Sequence, residues 1–232
     1  MTNYCNVVAF VPIRLNSTRV PHKSIQMVGG KPLCHYVLET LRQVPELSRI
    51  YVYTSTDSIK LGLLQHLPEG VEVWKRPTRL DGSETLGIDI YQQFARDCPS
   101  SWYLLCHVTS PFITVKSIQK GLQGIEEGYD SSCSVQKHQT FTWFRHKPLN
   151  YDRKAVLRTQ DLTPVLTETS AFYLYSRNMI LQEGIRIGSN PKMVVTTPLE
   201  SIDIDTKEDL ELVRQILGNK TQSGFSGSQA FF

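Results

Sequence analysis

Several common signals are missing from this 232-residue sequence, and each absence removes a class of protein. The cysteines number only 5 (Cys5, Cys34, Cys98, Cys106 and Cys133), and none forms a C-x-x-C pair. A disulfide framework or a zinc site needs closer, paired spacing, so free thiols in a reducing compartment are expected. No run of about 20 apolar residues is present to span a bilayer. Met1 to Cys5 carries no basic stretch, and no long apolar run precedes Pro12, so no signal peptide is expected. Neither the P-loop pattern G-x-x-x-x-G-K-S/T nor G-x-G-x-x-G occurs. A net charge of +3 gives no ground for a nucleic-acid or membrane partner. What remains is a cytoplasmic globular protein, long enough to bury a core without a disulfide or metal staple.

The residues that are present alternate between two periods. Val7-Val8-Ala9-Phe10-Val11 is a continuous apolar run, the pattern of a central strand buried on both faces. A polar loop follows from Pro12 to Lys31. Pro32 then opens a helix marked by Leu33, Val37, Leu41 and Val44. Strands are expected at Ile50–Tyr53, Val71–Trp74, Trp102–Val108 and Asp130–Val135. Helices are expected at Ser58–Leu67, around Leu86, Ile90 and Phe94, and along Val115, Ile118, Leu122 and Ile125. This alternation argues for an α/β three-layer sandwich with a mostly parallel sheet. Between about 136 and 169 the rhythm breaks, which reads as a small insertion and a possible dimerisation arm. It resumes with strands at Ala171–Tyr175 and Lys192–Thr196 and a last helix from Lys207 to Leu217. The Ser/Gly/Gln-rich residues 219–232 read as a flexible tail.

Four stretches carry groups capable of chemistry. The loop from Val11 to Lys23 leaves the carboxyl end of the first strand, where open α/β sheets place ligands. Arg14, Arg19 and Lys23, with Asn16, Ser17 and Thr18 between them, could surround a triphosphate with charge and hydroxyls. The alternative is an ordinary solvated basic loop. In Ser201-Ile202-Asp203-Ile204-Asp205-Thr206 the alternation predicts a half-buried strand with Asp203 and Asp205 on one face. Two adjacent carboxylates repel unless a cation lies between them, and Mg²⁺ takes one or two carboxylates plus substrate phosphates. Thr206 is the expected cap of the last helix; the alternative gives that task to one of the aspartates.

His107 stands near the tip of the strand that ends in Thr109-Ser110-Pro111, either packed or in contact with substrate. Arg158 could hold a substrate carboxylate in bidentate geometry or pair with Asp161.

Assembled in order, these pieces resemble the CMP-sugar synthetase family, which includes N-acylneuraminate and Kdo cytidylyltransferases. The resemblance runs from Val7 to about Leu217. It rests on Pro12-Ile13-Arg14-Leu15-Asn16-Ser17, Pro21-His22-Lys23, Gly29-Gly30-Lys31-Pro32-Leu33, Arg76-Pro77, Ser83-Glu84-Thr85, Thr109-Ser110-Pro111, Arg158-x-Gln-Asp-Leu and Ser201 to Thr206. It implies a Rossmann-like fold, usually dimeric, and a nucleotidyltransferase domain over residues 1–218. It also implies CMP transfer from CTP to an acidic sugar, with Mg²⁺ as cofactor and pyrophosphate released.

By the same resemblance, Arg14 and Lys23 would be catalytic, stabilising charge on the triphosphate. Pro12, Ile13, Arg14, Asn16, Ser17, Lys23, Ser24 and Ser83 would contact the nucleotide. His107, Thr109, Arg158 and Glu168 would face the acceptor, and Asp203 and Asp205 would bind the metal. Three departures fall mostly on the acceptor side. Ser24 stands where neuraminate-type members commonly carry Asn, His107 where Gln is frequent, and Thr169-Ser170 where Asn-Gly precedes the late strand. The acceptor is therefore open among a neuraminate, another nonulosonic acid and an acidic molecule such as a phosphonate. Two other readings of the residues stand beside this one, a nucleotide-sugar glycosyltransferase and a non-catalytic nucleotide-binding protein.

Overall fold

The computed structural model describes residues 6–14, 19–55 and 67–223. Asn16, Ser17 and all but the last residue of the helix expected at Ser58–Leu67 lie outside the described residues. Seven strands form one mixed sheet in the order β11-β7-β10-β6-β1-β4-β5. Their ranges are β1 Val7–Ile13, β4 Leu47–Thr54, β5 Val71–Lys75, β6 Trp102–Cys106, β7 Ser131–His138, β10 Val165–Ser176 and β11 Pro191–Val195. Short pairs β2 Met27–Val28 with β3 Lys31–Pro32, and β8 Trp143–Phe144 with β9 Lys147–Pro148, stand apart from it. Among the described residues four helices accompany the strands: α1 Leu33–Arg42, α2 Gly87–Asp97, α3 Val115–Glu126 and α4 Lys207–Ser223. The last helix thus runs beyond Leu217, into residues that composition alone assigned to the tail.

β1 pairs in parallel with both β4 and β6, so it is flanked on each side and its apolar run is explained. Its residues alternate between two cores. Val7, Ala9, Val11 and Ile13 face Val37, Leu38 and Leu41 of α1 and Ile118 and Leu122 of α3. Val8 and Phe10 face Ile90, Tyr91 and Phe94 of α2, with Phe10 and Phe94 stacked at 4.1 Å. A third cluster seats Leu210 and Val213 of α4 on Val20, Val28, Leu33 and Ile204. That packing ties the last helix to the end of the first loop and the segment after it.

β10 is the exception to the parallel rule, antiparallel to both β6 and β7. Because Phe172 sits opposite Cys106, the residues before it reach the carboxyl end of β6. The register slips between Glu168 and Tyr173, a bulge of the kind that re-aims side chains beside a site. The stretch read as an insertion is narrower than expected: β7 runs to His138 and β10 starts at Val165, leaving 139–164 as the excursion from the sheet.

Candidate active site

The carboxyl ends of β1, β4, β5 and β6 share one edge, the crevice where open α/β sheets bind ligands. A cleft of about 620 Å³ opens there, lined by Pro12, Arg14, Arg19, Lys23, Ser24, Asp81, Gly82, Ser83, His107, Val108 and Thr109. Its basic side is built by the chain leaving β1. Arg14 reaches across to the carbonyl of Thr85 at 3.3 Å, bridging the first loop to the 81–85 segment. Lys23 begins a 3-10 turn, Lys23–Ile25, after His22 in the left-handed region (φ 53°). Its ammonium is mostly sheltered and donates to the carbonyl of Ile204 at 2.5 Å. Ser24 behind it is buried.

The acidic side is the segment Ile202–Asp205. It forms no strand, and among the described residues its ladder-like tie is the Ile204 N–H donating to the carbonyl of Thr109 at 2.9 Å. The expected half-buried strand is thereby corrected: the segment lies past the end of β6 at Cys106, and α4 begins at Lys207. Period two nevertheless sets the side chains, with Ile204 fully buried between two more accessible aspartates. Asp205 meets Arg19 at 2.9 Å and Lys23 at 3.7 Å. Asp203 neighbours the Thr109 hydroxyl, while its Oδ1 is buried without a hydrogen-bond partner. Burial, then the Asp205 charge, raises the Asp203 carboxyl above its ordinary range. A sheltered oxygen left unpaired next to a second carboxylate is the donor set a hard cation suits. Thr206 caps α4 as expected: its hydroxyl accepts from the Asp209 N–H at 3.2 Å, and Asp209 accepts back from the Thr206 N–H at 2.8 Å. Neither aspartate of the pair is spent on capping.

His107 closes the inner end of the cleft. Its Nδ1 donates to the carbonyl of Ser170 at 2.6 Å, so its Nε2 accepts from the Tyr91 hydroxyl at 3.2 Å. The carbonyl is aimed there because Ser170 occupies the left-handed region (φ 59°) inside the β10 bulge. Burial is the main cause that lowers the His107 pKa to about 4, with Arg186 and Lys23 adding to it. The imidazole is therefore neutral at ordinary pH.

The remaining predicted residues divide plainly. Pro12, Arg14, Lys23, Ser24, Ser83, His107 and Thr109 line the cleft, and Asp203 and Asp205 adjoin it through Thr109, Arg19 and Lys23. Ile13 does not present its side chain, which lies in the core under α1. Arg158 is exposed, outside the cleft lining, and donates from Nε to Asp161 at 2.7 Å, the ion-pair alternative of the sequence reading. Glu168 is also off the cleft and accepts from the Tyr173 hydroxyl at 2.7 Å.

Arg76, which the sequence reading quoted in a motif without giving it a task, is fully buried and spans from Asp81 (2.6 Å) to the carbonyl of Tyr53 (3.2 Å). That pair holds the loop carrying Ser83 against β4. A lone arginine after a strand gives no local sign of burial; the Asp81 five residues on was the available clue. Sequence reasoning missed Arg186, which meets Glu168 and Tyr173.

Comparison with known proteins fits this geometry. A sequence model of the family described as Cytidylyltransferase matches residues 8–227. Over 221 residues the chain is 28% identical to an N-acylneuraminate cytidylyltransferase of Oncorhynchus mykiss, covering 90% of this chain and 50% of that protein. An N-acylneuraminate cytidylyltransferase of Streptococcus agalactiae is 23% identical over 211 residues, 87% of this chain and 51% of that protein. The chain thus spans about half the length of the curated relatives it matches. Among solved structures, a CMP:2-keto-3-deoxy-manno-octonic acid synthetase complexed with CTP superposes with a TM-score of 0.69 at 18% identity, over 93% of this chain and 99% of that one. A 4-diphosphocytidyl-2C-methyl-D-erythritol synthase of Anaerococcus prevotii gives 0.68 at 15% identity, over 93% and 97%. At these identities the likeness concerns the fold.

Proposed function

We propose, from the premise that this chain belongs to the cytidylyltransferase family, that it transfers CMP from CTP to the hydroxyl of an acidic sugar and releases pyrophosphate. The observation that carries the reading is the opposition of Arg14 and Lys23 to Asp203 and Asp205 around one cleft, with Lys23 3.7 Å from Asp205. In-line attack on the α-phosphate needs little covalent chemistry from a protein, mainly positioning and neutralisation of charge. Arg14 and Lys23 would hold the triphosphate and offset charge on the departing pyrophosphate. Lys23 is already fixed by the Ile204 carbonyl, so little reorganisation is required when phosphate arrives. Pro12, Ser24 and Ser83 would contact the nucleotide, and Thr109 and neutral His107 would face the acceptor.

Asp203 and Asp205 would hold Mg²⁺, supported by the unpaired Asp203 Oδ1. When bound, the ion supplies positive charge shared between carboxylates and phosphates. The chain's own part is to hold Asp205 towards the cleft through Arg19 and Lys23, contacts the ion would share or displace. A second copy of this chain is the partner we infer for the excursion at 139–164, supported by exposed Trp143, Phe144 and Leu149.

The test is pyrophosphate release from CTP and Mg²⁺ across a panel of 2-keto-3-deoxy acids, with Asp205→Ala beside the wild type. One acid should drive release, and Asp205→Ala should lose at least about 100-fold in kcat with an unchanged melting temperature, the scale of removing a principal electrostatic group. CTP binding without release for any acid would leave a nucleotide-binding protein. Transfer from a UDP- or GDP-sugar would replace the reading with a glycosyltransferase.

A further inference from the structure

Beyond the basic loop, Arg186 approaches the crevice from behind His107, outside its lining. A π-helical turn, Met179–Glu183, follows β10 and is closed by Gly184 in the left-handed region (φ 68°). Such turns are rare and cluster at functional sites. Two residues later the chain delivers Arg186 back over β10. Its guanidinium stacks on the Tyr173 ring at 3.8 Å, and Nη2 donates to the Tyr173 hydroxyl at 3.1 Å and to Glu168 Oε2 at 3.3 Å. The Tyr173 ring in turn meets the His107 ring edge-on at 6.2 Å, and His107 Nε2 pairs with the Tyr91 hydroxyl.

These contacts place Arg186 behind His107, which lines the cleft. Tyr91 feels the charges of both Arg14 and Arg186, and His107 those of both Lys23 and Arg186. The order across the site is Arg14 and Lys23, then the Tyr91–His107 pair, then Arg186. His107 lines the cleft yet is neutral, so it can orient a ligand but cannot balance an anion. Arg186 can. Its side chain is 32% exposed, its single acidic contact is a long one to a half-exposed carboxylate, and a guanidinium has five N–H donors.

We propose that Arg186, rather than Arg158, reads an oxyanion on the acceptor, either a carboxylate or a phosphonate. Tyr173 holds the guanidinium flat from below and Glu168 holds it at one edge, which pre-organises a planar fork for bidentate recognition. The inference rests on the CMP-transfer reading, because it takes the far side of Tyr91 and His107 as the acceptor side.

Titration calorimetry on the wild type, Arg186→Gln and Arg186→Lys tests it. CTP is titrated first, then N-acetylneuraminic acid, 3-deoxy-manno-octulosonic acid and 2-hydroxyethylphosphonate, each beside its methyl ester. The expected result is equal CTP affinity in all three proteins and binding of at least one acid by the wild type. That acid should bind roughly 10- to 100-fold more weakly to Arg186→Gln, the scale of a lost charged hydrogen-bond pair. Arg186→Lys should retain part of the affinity, and the ester should bind poorly to every protein. Binding of a sugar acid identifies a carboxylate, and binding of the phosphonate identifies that group. Equal acid binding by wild type and Arg186→Gln, equal binding of acid and ester, or no acid bound by a chain that binds CTP would each overturn the proposal. Absence of CTP binding by the wild type would overturn the nucleotide reading and this inference with it.

Discussion

His107 shows how one side chain can take two tasks from its surroundings. Buried between the Ser170 carbonyl and the Tyr91 hydroxyl, it is committed to the tautomer with the proton on Nδ1. Its folded pKa of about 4 lies below the ordinary 6.5, so below pH 6.5 the unfolded chain binds the extra proton. The stability that neutral His107 contributes is thus complete above pH 6.5 and is lost as the pH falls towards 4. His107→Gln should therefore melt with a shallower dependence on pH between 6.5 and 4 than the wild type. Melting curves at half-unit pH intervals check this, and parallel curves would show that the imidazole is not sheltered as described. Sequence alone left this residue undecided, because burial comes from Ser170 and Tyr91, far along the chain in both directions. The placement of the two aspartates was legible for the opposite reason: it follows from local alternation, which survives although the expected strand does not form.

Among the elements, those with a strong period were readable and those that depend on a distant partner were not. β1, α2 and α3 stand where the apolar pattern puts them, since each buries its stripe on a neighbour close in the fold. The antiparallel direction of β10, its bulge and the π turn after it leave no periodic trace, and they shape the side of the crevice where Arg186 stands. Glu200 illustrates the same limit. It is 4% exposed and accepts from Thr114 N–H (3.1 Å), both the Thr114 and Ser117 hydroxyls (2.6 Å each), and the Thr197 N–H and hydroxyl (3.0 and 2.9 Å). A carboxylate at the start of α3 also suits the helix dipole. It fastens the segment that carries Asp203 and Asp205 to that helix. These hydrogen bonds outweigh burial and depress the Glu200 carboxyl below its ordinary 4.5. The contribution is present above pH 4.5 and lost as the pH falls through the depressed folded value. Glu200→Gln should cost about 1–3 kcal/mol at pH 7, the scale of unsatisfying a buried charged hydrogen-bond network. Denaturant titration should show that cost shrinking below pH 4.5; a cost independent of pH would mean that shape, not charge, fastens the segment.

At the scale of the molecule, the sheet explains why the crevice is complete on three sides and why the excursion at 139–164 is not. Arg14, Lys23, Ser83, His107 and the aspartate pair all gather at the edge where parallel strands end. The excursion has no such support. Trp143 and Phe144 are 52% and 60% exposed, Leu149, Val156 and Leu157 are at least half exposed, and Phe141 and Trp143 pack on Tyr151. Monomers seldom leave so many large apolar groups together in water, and a stable interface needs about 800 Å² from each partner. A second copy of this chain laid on the excursion would cover them. Trp143→Ser combined with Phe144→Ser removes two of the exposed groups without touching the sheet. By sedimentation at micromolar concentration the wild type should run as a dimer and the double variant as a monomer, with CTP binding retained because the cleft residues lie elsewhere. A monomeric wild type, or a double variant that still pairs, would move the interface off the excursion.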